Sequence, residues 1–231
     1  MNQIISAALD KGRAQLNEVE AKQLLASAGV PVAETQLAIT ADEAVNAAEE
    51  IGYPVVMKIV SPEIAHKSDV GGVVVGVENS DDVRSIFEEI NRSVADKAPQ
   101  AEIDGVAIQA MVPQGTEIIV GSTTDEQFGP VMMFGLGGVF VEILEDVAFR
   151  IVPLEPKDAS DIVREIKGFP LLDGARGREK ADLDSLENLI LKVSNLVDEN
   201  PQIAELDLNP VFAYSEGVVA VDAHIVLDTK S

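Results

Sequence analysis

The chain has 231 residues, 46% of them hydrophobic, enough to bury a sizeable core as one large domain or two small lobes. Its 17 basic and 40 acidic side chains leave a formal charge of −23, which repels nucleic-acid backbones and anionic membranes, so neither is an expected partner. Cysteine is absent, which excludes disulfides, thiolate metal sites and a cysteine nucleophile; with strand-length apolar runs and no signal-peptide pattern, the expected location is cytoplasmic.

In chain order, IISAALDKG reads as a helix ended by Gly12. NEVEAKQLLASAG reads as a second, capped by Asn17 and stopped by Gly29. ETQLAIT is an expected strand, and T-A-D-E at 40–43 is a capping box for the helix that ends at Gly52. YPVVMKIV and GVVVGV read as buried strands on either side of the polar loop SPEIAHKSDVGG, residues 61–72. Ser80 is the expected cap of a helix whose Val83, Ile86, Phe87, Ile90 and Val94 keep helical spacing. After GVAIQAMV, the runs TEIIVGSTT, GPVMMFG, VFVEIL and VAFRIVPL follow one another as an antiparallel sheet would. PKDASDIVREIKG and DLDSLENLILKVSNLV read as helices flanking an irregular stretch, 169–184, and ELDLNPVFAY with GVVAVDAHIVL reads as a closing pair of strands. The class is α+β, two lobes joined near residues 109–115.

Four places could carry chemistry. Lys58 lies inside the apolar run VVMKIV, where an ammonium needs an anionic partner or a cleft; snorkelling from an edge strand is the bland alternative. Eight residues on come His66, Lys67 and Ser68, then Gly71-Gly72, a loop that can offer charge, a hydroxyl and N–H groups to an oxyanion. FGLGGVFVE, residues 134–142, makes either a tight turn or a phosphate wrap. Arg150 alternates with apolar neighbours and so belongs to the polar face of a strand, solvent or cleft. Asp207 and Asn209 share one strand face that Asp222 can reach, an oxygen set suited to Mg²⁺ or else a solvated acidic face. The strand ending in Gln109, Ala110, Met111 and Val112 offers backbone groups of the kind that hold an adenine edge, with Glu117 on the next strand. By itself this is a hairpin. His224 reads as a bystander near Asp222.

These pieces in this order resemble an ATP-grasp domain, and more closely the nucleotide-binding β subunit of NDP-forming acyl-CoA synthetases, the ADP-forming acetyl-CoA synthetase branch. The resemblance runs from about residue 8 to 228 and is most specific in VVMKIVSPEIAHKSDVGGV, MMFGLGGVFVEILEDVAFR and ELDLNPV. It implies a single ATP-grasp unit over 1–231, with a smaller lobe at 22–110, a larger one at 1–21 and 111–231, and a nucleotide cleft between them. Carried over by residue, it places Lys58, Lys67, Ser68 and Arg150 on ATP or ADP phosphates, Gln109 to Val112 on adenine and Glu117 on ribose or base. Asp207, Asn209 and Asp222 fall on Mg²⁺, and His66 is the phosphoryl carrier. His-Lys-Ser stands where succinyl-CoA synthetases have glycine-arginine-glycine, which points to the acetyl-type branch. With no CoA-binding Rossmann domain ahead of the lobes and no second catalytic histidine motif, a CoA-binding α subunit with its own phosphorylated histidine is implied, as an α2β2 assembly active only when complete. The implied reaction is acyl-CoA + ADP + phosphate to carboxylate + ATP + CoA. Two alternatives stand beside it: a carboxylate ligase that works through a direct acyl phosphate, and an ATP-binding regulatory module.

Overall fold

The computed structural model describes residues 2–64, 66–138, 145–177 and 179–229. The chain opens with α1 (Gln3–Asp10), capped by the Asn2 side chain on the Ile4 N–H, and α2 (Glu18–Ser27). It divides into two compact units, Asn17–Val19 with Ala33–Pro113, and Met1–Leu16 with Glu20–Val32 and Gln114–Ser231. Most of α2 belongs to the larger unit rather than to a smaller lobe starting at 22, because Ala21, Leu24 and Leu25 are fully buried in the larger unit's core.

In the smaller unit, β1 (Thr35–Ala38), β2 (Val55–Val60), β3 (Val73–Val77) and β4 (Gly105–Ala110) form an antiparallel sheet ordered β1-β4-β2-β3. Alternation along β2 and β4 turns Val55, Met57, Ile59, Val106 and Ile108 to one face, where they pack with α3 (Ala41–Ile51) and α4 (Ser80–Lys97) through Ala44, Ala48, Val83, Ile90 and Val94. Thr40 caps α3 by accepting from the Glu43 N–H, but the Glu43 carboxylate reaches back to the Ile39 N–H at 2.8 Å, one residue earlier than a capping box requires. The cap of α4 is Asn79 rather than Ser80, its side chain accepting from the Asp82 N–H at 2.9 Å. β3 is not a buried strand. It lies at the sheet edge, and Val75 is 60% exposed.

In the larger unit, β5 (Thr116–Asp125), β6 (Gly129–Leu136), β7 (Val147–Ile151), β8 (Ile203–Ala213) and β10 (His224–Leu227) form a sheet ordered β10-β8-β5-β6-β7, and β9 (Val218–Ala220) also pairs with β8. One face packs against α5 (Pro156–Glu165) and α7 (Leu183–Glu199) through Ile162, Val163, Leu186, Leu189 and Val193. The stretch expected to be irregular holds a short helix, α6 (Phe169–Leu172), and a 3-10 turn, Ala175–Gly177. GVVAVDAHIVL is two short strands, interrupted at 221–223 where the chain leaves the ladder. The expected strand VFVEIL, 139–144, lies outside the described residues.

Candidate active site

The face of the smaller sheet that turns away from α3 and α4 carries Lys58 and Gln109, set by the registers Lys58↔Ala107 and Val56↔Gln109. Both are buried. A buried ammonium requires a counter-charge, and Lys58 has one: its Nζ donates to Glu18 Oε1 at 2.8 Å. The other Glu18 oxygen lies 3.4 Å from Lys67 Nζ. One carboxylate at the first residue of α2 therefore holds two lysines, one from β2 and one from the 61–72 loop. Sequence reading missed Glu18, because NEVEAK announces only a helix start and the contact spans forty positions.

Within the loop, the His66 carbonyl accepts from Asp69 N–H (3.2 Å), that of Ser68 from Gly71 (3.0 Å) and that of Lys67 from Gly72 (2.7 Å), while the Gly72 carbonyl accepts from Ile59 at 2.7 Å. Ser93 Oγ donates to the Val70 carbonyl at 2.7 Å, which seats the second half of the loop on α4. Gly72 is required: a Cβ there would sit 2.5 Å from Ile59 Cγ2 and 2.9 Å from the Lys67 carbonyl. The result is a loop fixed along its second half that presents His66 and Ser68 to solvent.

At the end of β4, the Ala110 N–H donates to the Glu34 carbonyl at 2.9 Å and that of Met111 to Pro54 at 3.3 Å, while the Met111 side chain is exposed. Glu117 is on β5 of the larger unit. Its carbonyl accepts from Gly137 at 2.8 Å, and a Cβ on Gly138, which has φ +62°, would lie 2.5 Å from Glu117 Oε2. Gly137 and Gly138 of GLGG are thus explained by the chain crossing closely over Glu117, while a Cβ on Gly135 would meet the Asp146 carbonyl and Val147, each at 2.9 Å.

The row Asp207–Gly121–Met133–Phe149 defines the face of the larger sheet opposite its helices, with His224 paired to Asp207. Glu205, Asp207 and Asn209 follow at spacing two, while Leu206 and Leu208 point into the core. The register shift between Ile118 and Val120 sets Asn209 and Pro210 against the single residue Ile119, a bulge at a proline that has no N–H for the ladder. Asp222 lies in the break between β9 and β10. Burial pushes the Asp207 carboxyl above its ordinary range; His224 opposes the shift, and the neighbouring Glu205 and Asp222 charges add to it. A desolvated carboxylate beside two others is stabilised by a cation, and Asp207, Asn209 and Asp222 offer only oxygen ligands, so the set fits a hard divalent ion. Among the described residues no three His, Asp or Glu side chains form a metal cluster. A Mg²⁺ held here would therefore keep positions for water and phosphate.

Arg150 falls on the other face, in the row Leu206–Ser122–Met132–Arg150. It donates to Glu165 of α5 at 2.6 Å and to the Phe149 carbonyl at 2.7 Å. The alternation assigned Arg150 to a polar face, solvent or cleft, but it shares the helix-covered face, opposite Asp207, with the buried Leu206 and Met132, and meets Glu165 there. His224 Nδ1 lies 3.0 Å from Gln15 Nε2.

In the smaller unit the buried Lys58 and the half-buried Lys67 meet on one carboxylate, with the exposed His66 next to Lys67 in the chain, and the larger unit carries the oxygen donors of Asp207, Asn209 and Asp222. The chain belongs to the ATP-grasp family, whose domain model matches residues 7–227. It is 51% identical to the beta subunit of acetate–CoA ligase [ADP-forming] II of Pyrococcus furiosus, over 97% of this chain and 96% of that one. In structure it is similar to the dinucleotide-forming acetyl-coenzyme A synthetase 1 of Ca. Korarchaeum cryptofilum in complex with coenzyme A, Ca-AMPCP and HgCl+, with TM-score 0.94, 46% identity and coverage of 97% and 98%. It also matches the form of that enzyme with coenzyme A and Mg-AMPPCP, described with its phosphohistidine segment pointing towards the nucleotide binding site, at TM-score 0.87, 43% identity and the same coverage. None of the described helices is long and apolar enough to cross a membrane.

Proposed function

We propose that this chain is the nucleotide-side subunit of an ADP-forming acyl-CoA synthetase of the acetate–CoA ligase type, working with a CoA-binding α subunit in an α2β2 assembly in the cytoplasm. His66 receives a phosphoryl group from a histidine of that partner and passes it to ADP. In the second transfer a terminal ADP oxygen attacks phosphorus, the P–N bond to His66 breaks, and the ring leaves as neutral imidazole when its other nitrogen carries the proton. Phosphoryl transfer needs positioning and charge neutralisation above all, and Lys58, Lys67 and Ser68 are the groups assigned to it. Gln109 to Val112 and Glu117 are assigned to the adenosine. Asp207, Asn209 and Asp222 are assigned to Mg²⁺, which when bound draws charge from the phosphate oxygens. Arg150, paired with Glu165, is left out of the set.

The observation that carries this reading is the exposed His66 at the head of a loop whose Lys67 meets Lys58 on one carboxylate, in a chain that matches a beta subunit along nearly its whole length. The test is ATP formation from acetyl-CoA, ADP and phosphate with the α subunit added. His66→Asn is expected to lower it by about a thousandfold or more, the scale of losing a covalent carrier. Retention of activity would favour a direct acyl phosphate and sink the relay.

A further inference from the structure

Glu18 stands out because phosphate handling calls for cations, and an anion sits at the centre of them. Its side chain is 3% exposed, against 10% for Lys58 and 24% for Lys67. The two contacts differ: 2.8 Å to the buried Lys58, 3.4 Å to the more exposed Lys67, the residue after His66. The carbonyl of Lys67 is tied to Gly72, but its ammonium is held mainly by charge and can pivot on a four-carbon stem. Two ammonium groups within 4 Å of one carboxylate are spaced for an oxyanion, and a terminal phosphate carries more charge than a carboxylate. Desolvating the Lys58 ammonium near a second cation, Lys67, is costly, and the Glu18 carboxylate offsets that cost.

We propose that Glu18 is an internal stand-in for the nucleotide's phosphate, a positioning residue that keeps the Lys58 and Lys67 ammonium groups convergent and yields Lys67 when a nucleoside diphosphate or triphosphate binds. This rests on the reading of the two lysines as phosphate contacts. Because the carboxylate and the phosphate compete for the same ammonium, Glu18 lowers nucleotide affinity. A purely structural ion pair makes the opposite forecast, since damaging it loosens the site. Competition also sets a dependence on Lys67: the effect of Glu18 vanishes once that lysine is gone.

The experiment is calorimetric titration of the purified chain with MgADP at fixed ionic strength. Glu18→Gln is expected to bind MgADP about threefold to tenfold tighter than the unmodified chain, with the gain larger at low salt. Lys67→Gln is expected to bind more weakly, and the double variant to bind no tighter than Lys67→Gln alone. Because Glu18→Gln removes a negative charge from beside the buried Lys58, Glu18→Asp is run beside it; the shorter side chain keeps the charge near Lys58 and withdraws from Lys67, and it too is expected to bind tighter. If the unmodified chain binds MgADP while both Glu18 variants bind equally or more weakly, the stand-in role is overturned and the phosphate reading of the lysines survives. If the unmodified chain binds no MgADP, both fall together.

Discussion

The two charged clusters of this protein are built on opposite terms. In the smaller unit, Lys58 and Lys67 share the buried Glu18 carboxylate, so the fold satisfies its own charge. In the larger unit, Asp207 is desolvated among Glu205 and Asp222, and its carboxyl is pushed up with only His224 opposing. A paired cluster contributes to stability, and in the proposed function it exchanges partners. A repelling cluster costs stability, and in the proposed function Mg²⁺ completes it.

That contrast breaks most sharply at Asp207. Asp207→Asn is expected to lower Mg²⁺-dependent synthetase activity by about a hundredfold, while the variant melts no lower than the unmodified chain in chelator, because a repelling charge has gone. A clear fall in melting temperature would mean that the acidic set is structural. Lys58→Met should do the reverse on stability, costing about 3 kcal/mol by leaving Glu18 buried with one partner fewer, measured by denaturant unfolding. If it unfolds at the same denaturant concentration as the unmodified chain, the pair holds nothing together. Gly72→Ala separates the loop from the ion pairs: its Cβ has no room beside Ile59, and a loss of about 2 kcal/mol with displacement of the His66 loop is expected from unfolding and hydrogen exchange.

The smallest effect is expected at a carboxylate that belongs to neither cluster. Asp182 caps α7, accepting from the Ser185 N–H, the Ser185 hydroxyl and the Gly217 N–H, contacts that hold its carboxyl below the ordinary range. A lowered folded-state value means stability that is present above the unfolded-state value and lost as pH falls through the folded one. Asp182→Ala should therefore cost about 1 kcal/mol at neutral pH, with the gap to the unmodified chain closing in acid. A gap that widens in acid would contradict the assignment.

Much of the architecture was legible because it rests on local rules. The β-branched runs of β2 and β4, the Thr40 cap and the spacing of Asp207 and Asn209 all repeat periods that sequence carries directly. Features that depend on which surface faces what were not. Val75 reads as buried by composition but falls on an edge strand, and Arg150 reads as lying on a polar face but shares the helix-covered face of the sheet with Met132, where its partner Glu165 is fifteen residues away on a helix. The 221–223 break is hidden because residues 218–220 and 224–226 keep one register on β8 and look continuous. Glu18 was invisible for the strongest reason: its role exists only through partners at positions 58 and 67.

The proposed function rests on His66 as a carrier, and the most direct test is to trap it. This chain, the α subunit, Mg²⁺ and ATP labelled on its terminal phosphate are mixed, quenched in alkali and digested. The expected result is label on the peptide that contains His66, stable in base, lost in acid and absent from His66→Asn. Absence of label from the unmodified chain, or its persistence in His66→Asn, would contradict a phosphoryl relay through this residue.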